Sequence, residues 1–213
     1  MNHANTSSME HLFAGVSFFN ELKRQDPQQW ELLIKHCDIR ELAPGEVLIQ
    51  RNEVDPSLYF LLRGQLAVFA DNHRQGKILN YISPGELFGA LAMLRDNKRT
   101  ACIAVDENSR GAVVACLEAE EFQHLEDFSR FTLATKIAFY RMLVHNVRWT
   151  LEVIRMQDPH HPAVVGLRKV PLFTGAKGTQ EELKALSEQA HALADLLHEW
   201  NQTYELTASV QLT

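Results

Sequence analysis

The sequence predicts an α+β fold. A small antiparallel β-structure, of barrel or jelly-roll type, is flanked by N-terminal helices, one long C-terminal helix and a helical tail. Three observations lead there. Between about residues 38 and 122, short β-rich runs recur at even spacing with turn residues between them. No helical pattern alternates with these runs, which argues against a parallel sheet. From about 119 to 157 the chain carries neither Pro nor Gly, and apolar residues return at helical spacing.

The elements follow in chain order. Residues 9–36 read as helical: Leu12, Val16, Phe19 and Leu22 share a face, and Asp26-Pro27 is a helix start before QQWELLIKH. Six runs then read as strands: EVLIQ (46–50), SLYFLLRG (57–64), QLAVFA (65–70), KILNYIS (77–83), TACIAVD (100–106) and GAVVACLE (111–118). Turn signals separate them at Pro44-Gly45, Asp71-Asn72, Pro84-Gly85 and Glu107-Asn108. Pro159 and Pro162 end the long helix. In the tail, Thr179 and Glu182 match a capping box, and Leu183, Leu186, Ala190, Leu193, Leu197 and Trp200 form an apolar stripe. The expected organisation is 1–36 N-terminal helical, 37–124 β-roll, 125–158 long helix and 159–213 helical tail.

Bulk properties narrow the function. The chain has 213 residues and a formal charge of −6. The acidic balance argues against general nucleic-acid binding, and no strong local basic patch stands out along the chain. No apolar run is long enough to span a bilayer, and the N-terminus lacks the pattern of a signal peptide. A cytoplasmic protein is expected. Cys37, Cys102 and Cys116 are odd in number and widely spaced, so they read as buried thiols and not as a metal site. His160-His161 is an adjacent pair, and His191 and His198 lie two helical turns apart, where ligands on one helix come one turn apart. No metal site, no required cofactor and no catalytic residue is expected. No nucleophile–base–orienter set can be placed, and the chain reads as non-enzymatic.

The stretch GELFGALAMLRDNKRTA (85–101) carries the strongest functional signal. Gly89 opens a short apolar run, and Arg99 follows a polar loop with Thr100 and Ala101 behind it. Amides near Gly89, Ala90 and Leu91, amides at Thr100 and Ala101, and the Arg99 guanidinium together suit a small anion. A competing option is that Arg99 only pairs with a carboxylate such as Asp96.

The order of parts resembles the cyclic nucleotide-binding domain of the bacterial catabolite activator protein and the regulatory subunit of cAMP-dependent protein kinase. The resemblance covers roughly 12–157. It is carried by Pro44-Gly45-Glu46, by Tyr59-Phe60-Leu61-Leu62-Arg63-Gly64-Gln65-Leu66 and by Ser83-Pro84-Gly85-Glu86-Leu87-Phe88-Gly89. Leu91-Ala92-Met93-Leu94 and Arg99-Thr100-Ala101 complete it. It implies a β-roll whose phosphate cassette is Gly89, Ala90, Leu91, Arg99, Thr100 and Ala101, with cAMP, cGMP or cyclic di-GMP as the possible ligand. Two departures matter. Arg51-Asn52-Glu53 stands where the family often turns on Gly, and Asn is the residue that best replaces Gly at positive φ. Ala90 stands where the family's Glu bonds the ribose 2′-hydroxyl. A hydrogen bond to a charged group contributes about 1.5–3 kcal/mol, so its loss weakens binding roughly ten- to a hundred-fold.

Output is expected from the C-terminal half. Leu133, Ile137, Tyr140, Val144, Val147, Leu151 and Ile154 form a heptad seam. That seam predicts either a homodimer through this helix or packing on the chain's own β-roll. In 160–213 four Lys or Arg face six Asp or Glu, and no helix-turn-helix can be placed, so DNA binding is the minority reading. A protein partner docking on the tail is preferred. The alternative to a sensor is a ligand-independent dimeric scaffold with a relic pocket.

Overall fold

A computed structural model describes residues 10–72, 78–96 and 98–210, without the side chains of 157 and 203–210. Met9, Lys77 and residues 211–213, which fall in expected elements, lie outside the described residues. The chain divides into two compact units, Met1–His124 and Leu125–Thr213.

The first unit opens with α1 (Ser17–Gln25) and α2 (Pro27–Lys35). Asp26 caps α2 by accepting from the Gln29 N–H at 3.1 Å, with Pro27 at the first helical position. Eight strands follow among the described residues: β1 (Cys37–Leu42), β2 (Val47–Ile49), β3 (Leu58–Arg63), β4 (Leu66–Phe69), β5 (Asn80–Ile82), β6 (Leu87–Phe88), β7 (Cys102–Val105) and β8 (Ala112–Leu117). They form two four-stranded antiparallel sheets, ordered β1-β8-β3-β6 and β2-β7-β4-β5.

All six expected strands are present in shortened form. β1 was not among them, because CDIREL is an edge strand whose polar residues stay largely exposed. β6 is too short to leave a periodic signal.

The apolar run of β3 has a structural reason. Tyr59 and Leu61 join the core between the sheets with Leu66, Val105 and Val114. Phe60 points the other way and meets Phe19 of α1, ring centroids 5.0 Å apart. A strand covered on both faces loses the polar alternation of a half-exposed one. Asn52 takes φ 71° as expected, in the turn after β2.

α3 (Ala90–Leu94) and α4 (Glu120–Gln123) complete the first unit. The second holds α5 (Leu133–Gln157), α6 (Ala163–Lys169) and α7 (Gln180–Val210). The long helix begins at Leu133 and not at 125. Asp127 accepts from the Ser129 N–H at 2.9 Å, and Thr132 caps α5 through the Thr135 N–H at 3.3 Å. Such local side-chain bonds compete with helix, so the absence of Pro and Gly was not enough to extend it.

α5 packs on α7 of its own chain. Ile137, Tyr140, Val147 and Leu151 of the heptad seam are buried, while Leu133, Val144 and Ile154 are half-buried. The seam therefore finds a helix within the chain, and that helix is the tail. All six residues of the α7 stripe are buried. The capping box at Thr179 is half made. The Glu182 N–H donates to Thr179 Oγ1 at 3.2 Å, but the Glu182 carboxylate accepts from the Gly178 N–H at 2.6 Å and from Arg141 Nε of α5 at 3.1 Å. Burial alone would raise the Glu182 pKa; these bonds outweigh it and hold it below the ordinary carboxylate value.

Glu182 thus joins the start of α7 to α5. Glu182→Ala is expected to destabilise the chain by on the order of 1–2 kcal/mol, measured as a shift in the urea midpoint without a change in slope.

Candidate functional site

The site is organised around Arg99, which is 3% exposed. The turn after β2 delivers its countercharge. Asn52 N–H donates to Arg99 O at 2.8 Å, Arg99 N–H donates to Glu53 O at 2.9 Å, and Val54 pairs with Lys98. This short antiparallel match places Asp55 beside the guanidinium. Arg99 Nη2 donates to Asp55 Oδ2 at 2.6 Å and to Ser57 O at 2.7 Å, and Nη1 donates to Gly89 O at 3.2 Å. Arg99 Nε is buried and has no acceptor among the described residues.

The carboxylate is held in turn. Asp55 Oδ1 accepts from the Ser57 N–H at 2.9 Å, and Oδ2 accepts from the Tyr59 hydroxyl at 2.8 Å. The guanidinium carbon lies 5.2 Å from the Tyr59 ring centroid, and that ring stacks on Phe88 at 5.3 Å. Burial by itself would push the Asp55 carboxyl up. The bonds from Arg99, Ser57 and Tyr59 win and bring it down to about 2. Desolvation and the adjacent Asp55 drive the Tyr59 hydroxyl up, so it stays protonated and donates.

The sequence-predicted cassette residues fall around this charge. Gly89 has φ 86° and ends the turn into α3; a Cβ there would lie 2.5 Å from Arg99 Nη1. Only glycine suits both the backbone and the close approach. Ala90 is buried and Leu91 half-buried in the first turn of α3, where amides have no intrahelical acceptor. Thr100 is exposed and Ala101 half-buried directly after Arg99. Gly89 and Arg99 touch. Ala90 adds no polar side chain.

Asp96 is not the partner of Arg99. It accepts from the Lys98 N–H at 3.2 Å, while Asp55, far away in sequence, takes the guanidinium. Glu86 does not stand in for the missing acid at Ala90, since it is exposed and accepts from its own turn at the Ser83 N–H. Sequence reasoning missed Asp55, Ser57 and Tyr59. The available signal was Asp55-Pro56-Ser57, an Asx-turn pattern just before a strand.

No group of three or more His, Cys, Asp or Glu side chains suits a metal ion among the described residues. None of the described helices is long and apolar enough to cross a membrane.

Residues 39–127 match the family described as the cyclic nucleotide-binding domain. The chain is 36% identical over 104 residues to the cGMP-dependent protein kinase, isozyme 1, of Drosophila melanogaster, covering 49% of this chain and 13% of that protein. It is 30% identical over 69 residues to the cAMP-activated global transcriptional regulator CRP of Pasteurella multocida, covering 32% of this chain and 33% of that one. The regulatory domain of Toxoplasma gondii PKA, solved with cAMP, aligns with a TM-score of 0.43 at 21% identity, covering 55% of this chain and 43% of that one. The chain thus spans about a third or less of the length of these two curated relatives.

Two expectations follow from the site. Asp55 has a depressed pKa, so its stabilisation is complete above the unfolded value near 4 and is lost as pH falls through about 2. Asp55→Asn leaves Arg99 buried without its countercharge and is expected to cost on the order of 3 kcal/mol at neutral pH. The gap between variant and wild type should close as urea titrations are taken down toward pH 2. Gly89→Ala is expected to lower stability by about 1–2 kcal/mol in the same assay, from the positive φ and the displaced guanidinium.

Proposed function

We propose that the chain is a non-enzymatic regulatory module that senses a cyclic nucleotide through Arg99, within the segment 39–127 that matches the cyclic nucleotide-binding domain. The carrying observation is the buried guanidinium held against the turn into α3 by Gly89 O, with Asp55 behind it. Its orientation is set before any ligand arrives, which lowers the ordering cost of binding. A phosphate charge of the ligand would be met by Arg99 and by amides at Ala90, Leu91, Thr100 and Ala101. Two relatives are by name cGMP-dependent and cAMP-activated, which makes cGMP and cAMP the first ligands to test. Cyclic di-GMP is the third. Ala90 leaves the sugar without a carboxylate acceptor, so affinity would be low and selectivity between sugars weak.

The signal would leave through the second unit, by a ligand-dependent choice between two states presented to a protein partner. A homodimer through α5 would use the face that carries Trp149 and Met156. These are 61% and 64% exposed, whereas the inner seam is already covered by α7.

A second reading has its own support. Arg99 already has three acceptors through Nη1 and Nη2, and Ala90 is buried and apolar. Those facts suit a scaffold in which the charge pair only holds the fold.

The experiment is a thermal-shift and calorimetric titration of the whole chain with cAMP, cGMP and cyclic di-GMP. A ligand that binds only the folded state raises Tm, by about 2.7 kcal/mol of stability at a hundred times Kd. Saturable binding that is lost in Arg99→Gln and weakened in Arg99→Lys is the expected result. No shift with any of the three at millimolar concentration would select the scaffold.

A further inference from the structure

The second unit contains a pocket that the nucleotide reading does not use. Its volume is about 530 Å³, and it lies where the end of α5 meets the end of α6. Arg148, Glu152 and Arg155 of α5 line it together with Arg168 and Lys169 of α6. Leu167 and the extended stretch Val170, Pro171 and Leu172 supply the apolar wall. Four cations therefore face one carboxylate. Glu152 is engaged by Arg155 Nε at 2.7 Å, which leaves Arg148, Arg168 and Lys169 without a countercharge from the pocket walls.

Helix ends explain part of this. Arg155 sits in the last turn of α5, and Arg168 and Lys169 in the last turn of α6, where cations favour the dipole. Arg148 lies well inside α5 and has no such reason. Its Nε and Nη2 are shut off from solvent and have no acceptor among the described residues. These two donors are closed off from the pocket space as well, so Arg148 contributes its positive charge to the pocket wall and not these two N–H groups.

We infer that this pocket binds a small diphosphate-bearing molecule, with the phosphates on Arg148, Arg168 and Lys169 and an uncharged body against Leu167 and Val170–Leu172. The charge count selects the class. A single monoanion leaves most of the excess unmet, whereas a diphosphate carries about three negative charges and accepts forked bonds from arginine. The volume exceeds a bare diphosphate and lies within the range of small-molecule pockets, so a body such as a nucleoside has room. This site is separate from Arg99 in sequence and in unit.

The test is isothermal titration of the full chain with ADP and with inorganic pyrophosphate, at low and at physiological salt. Arg148→Gln, the double variant Arg168→Gln with Lys169→Gln, and Arg99→Gln are run in parallel. Arg168 and Lys169 are exposed, so the double variant tests the site even where Arg148→Gln fails to fold. The expected result is that ADP and pyrophosphate bind, ADP more tightly. Both should weaken at least ten-fold in Arg148→Gln and in the double variant and be unchanged in Arg99→Gln. No binding at millimolar probe, binding that survives the double variant, or binding lost in Arg99→Gln would each overturn the inference. Binding of a duplex oligonucleotide in place of ADP would overturn it in favour of a nucleic-acid surface. Cyclic nucleotide titrations of the double variant separate the two sites, since failure there concerns Arg99 and not this pocket.

Discussion

Housing the Arg99 charge is the constraint from which the first unit's site takes its shape. A guanidinium taken out of water needs a countercharge and acceptors for its N–H groups. The turn 52–55 supplies Asp55 because its backbone pairs with residues 98 and 99. Ser57 and Gly89 give carbonyls, so the strand start at 58 and the helix start at 90 are positioned by the same cation. Gly89 has no room for a side chain because Arg99 fills that space. Tyr59 serves twice: its ring belongs to the core with Phe88, and its hydroxyl steadies Asp55. The polar network and the hydrophobic core are thus joined at one residue.

The second unit solves a different problem. A seam repeating every seven residues needs a helix alongside it. In this chain the tail provides it, so Tyr140 and Leu151 are buried without a second subunit. Once α5 turns its apolar side to α7, its remaining faces carry what is left over. Trp149 and Met156 are exposed there, and Arg148 and Arg155 converge with the end of α6. The exposed aromatic and the cationic pocket are consequences of one helix having spent its seam internally.

Most of the fold was legible because it rests on local signals. The strands with long apolar runs, such as Leu58–Arg63 and Ala112–Leu117, announce themselves by composition. Asn52 was readable from the backbone conformation its residue type tolerates, and Gly89 from its place at the opening of the short apolar run. What stayed hidden is non-local. Asp55 and Arg99 meet only because two turns pair, and the competing option of Asp96 as partner rests on proximity in sequence alone. The heptad seam showed that a helix was needed and not which one. The cations at 148, 155, 168 and 169 look unremarkable along the chain and become a cluster only when α6 folds back. The start of α5 at Leu133 was hidden for a local reason, the bonds made by Asp127 and Thr132.

The two anion sites, the proposed cradle and the inferred pocket, differ in how they hold positive charge, and this separates their chemistry. Arg99 carries its own counterion. A phosphate arriving there must share the guanidinium with Asp55, whose low pKa keeps it ionised across the physiological range. The net attraction is small and short-ranged, and selectivity rests on shape and amide geometry. With Ala90 in place of an acid, that geometry would read the phosphate of a bound cyclic nucleotide more than its sugar. The pocket on α5 and α6 holds more cations than carboxylates, so its attraction extends over about a Debye length and is screened by salt. A site whose one cation is matched by one carboxylate would suit a singly charged ligand. A site with surplus cations suits a multiply charged one. On these two proposals the sites would tell two phosphate ligands apart by charge alone, before any contact with base or sugar is considered.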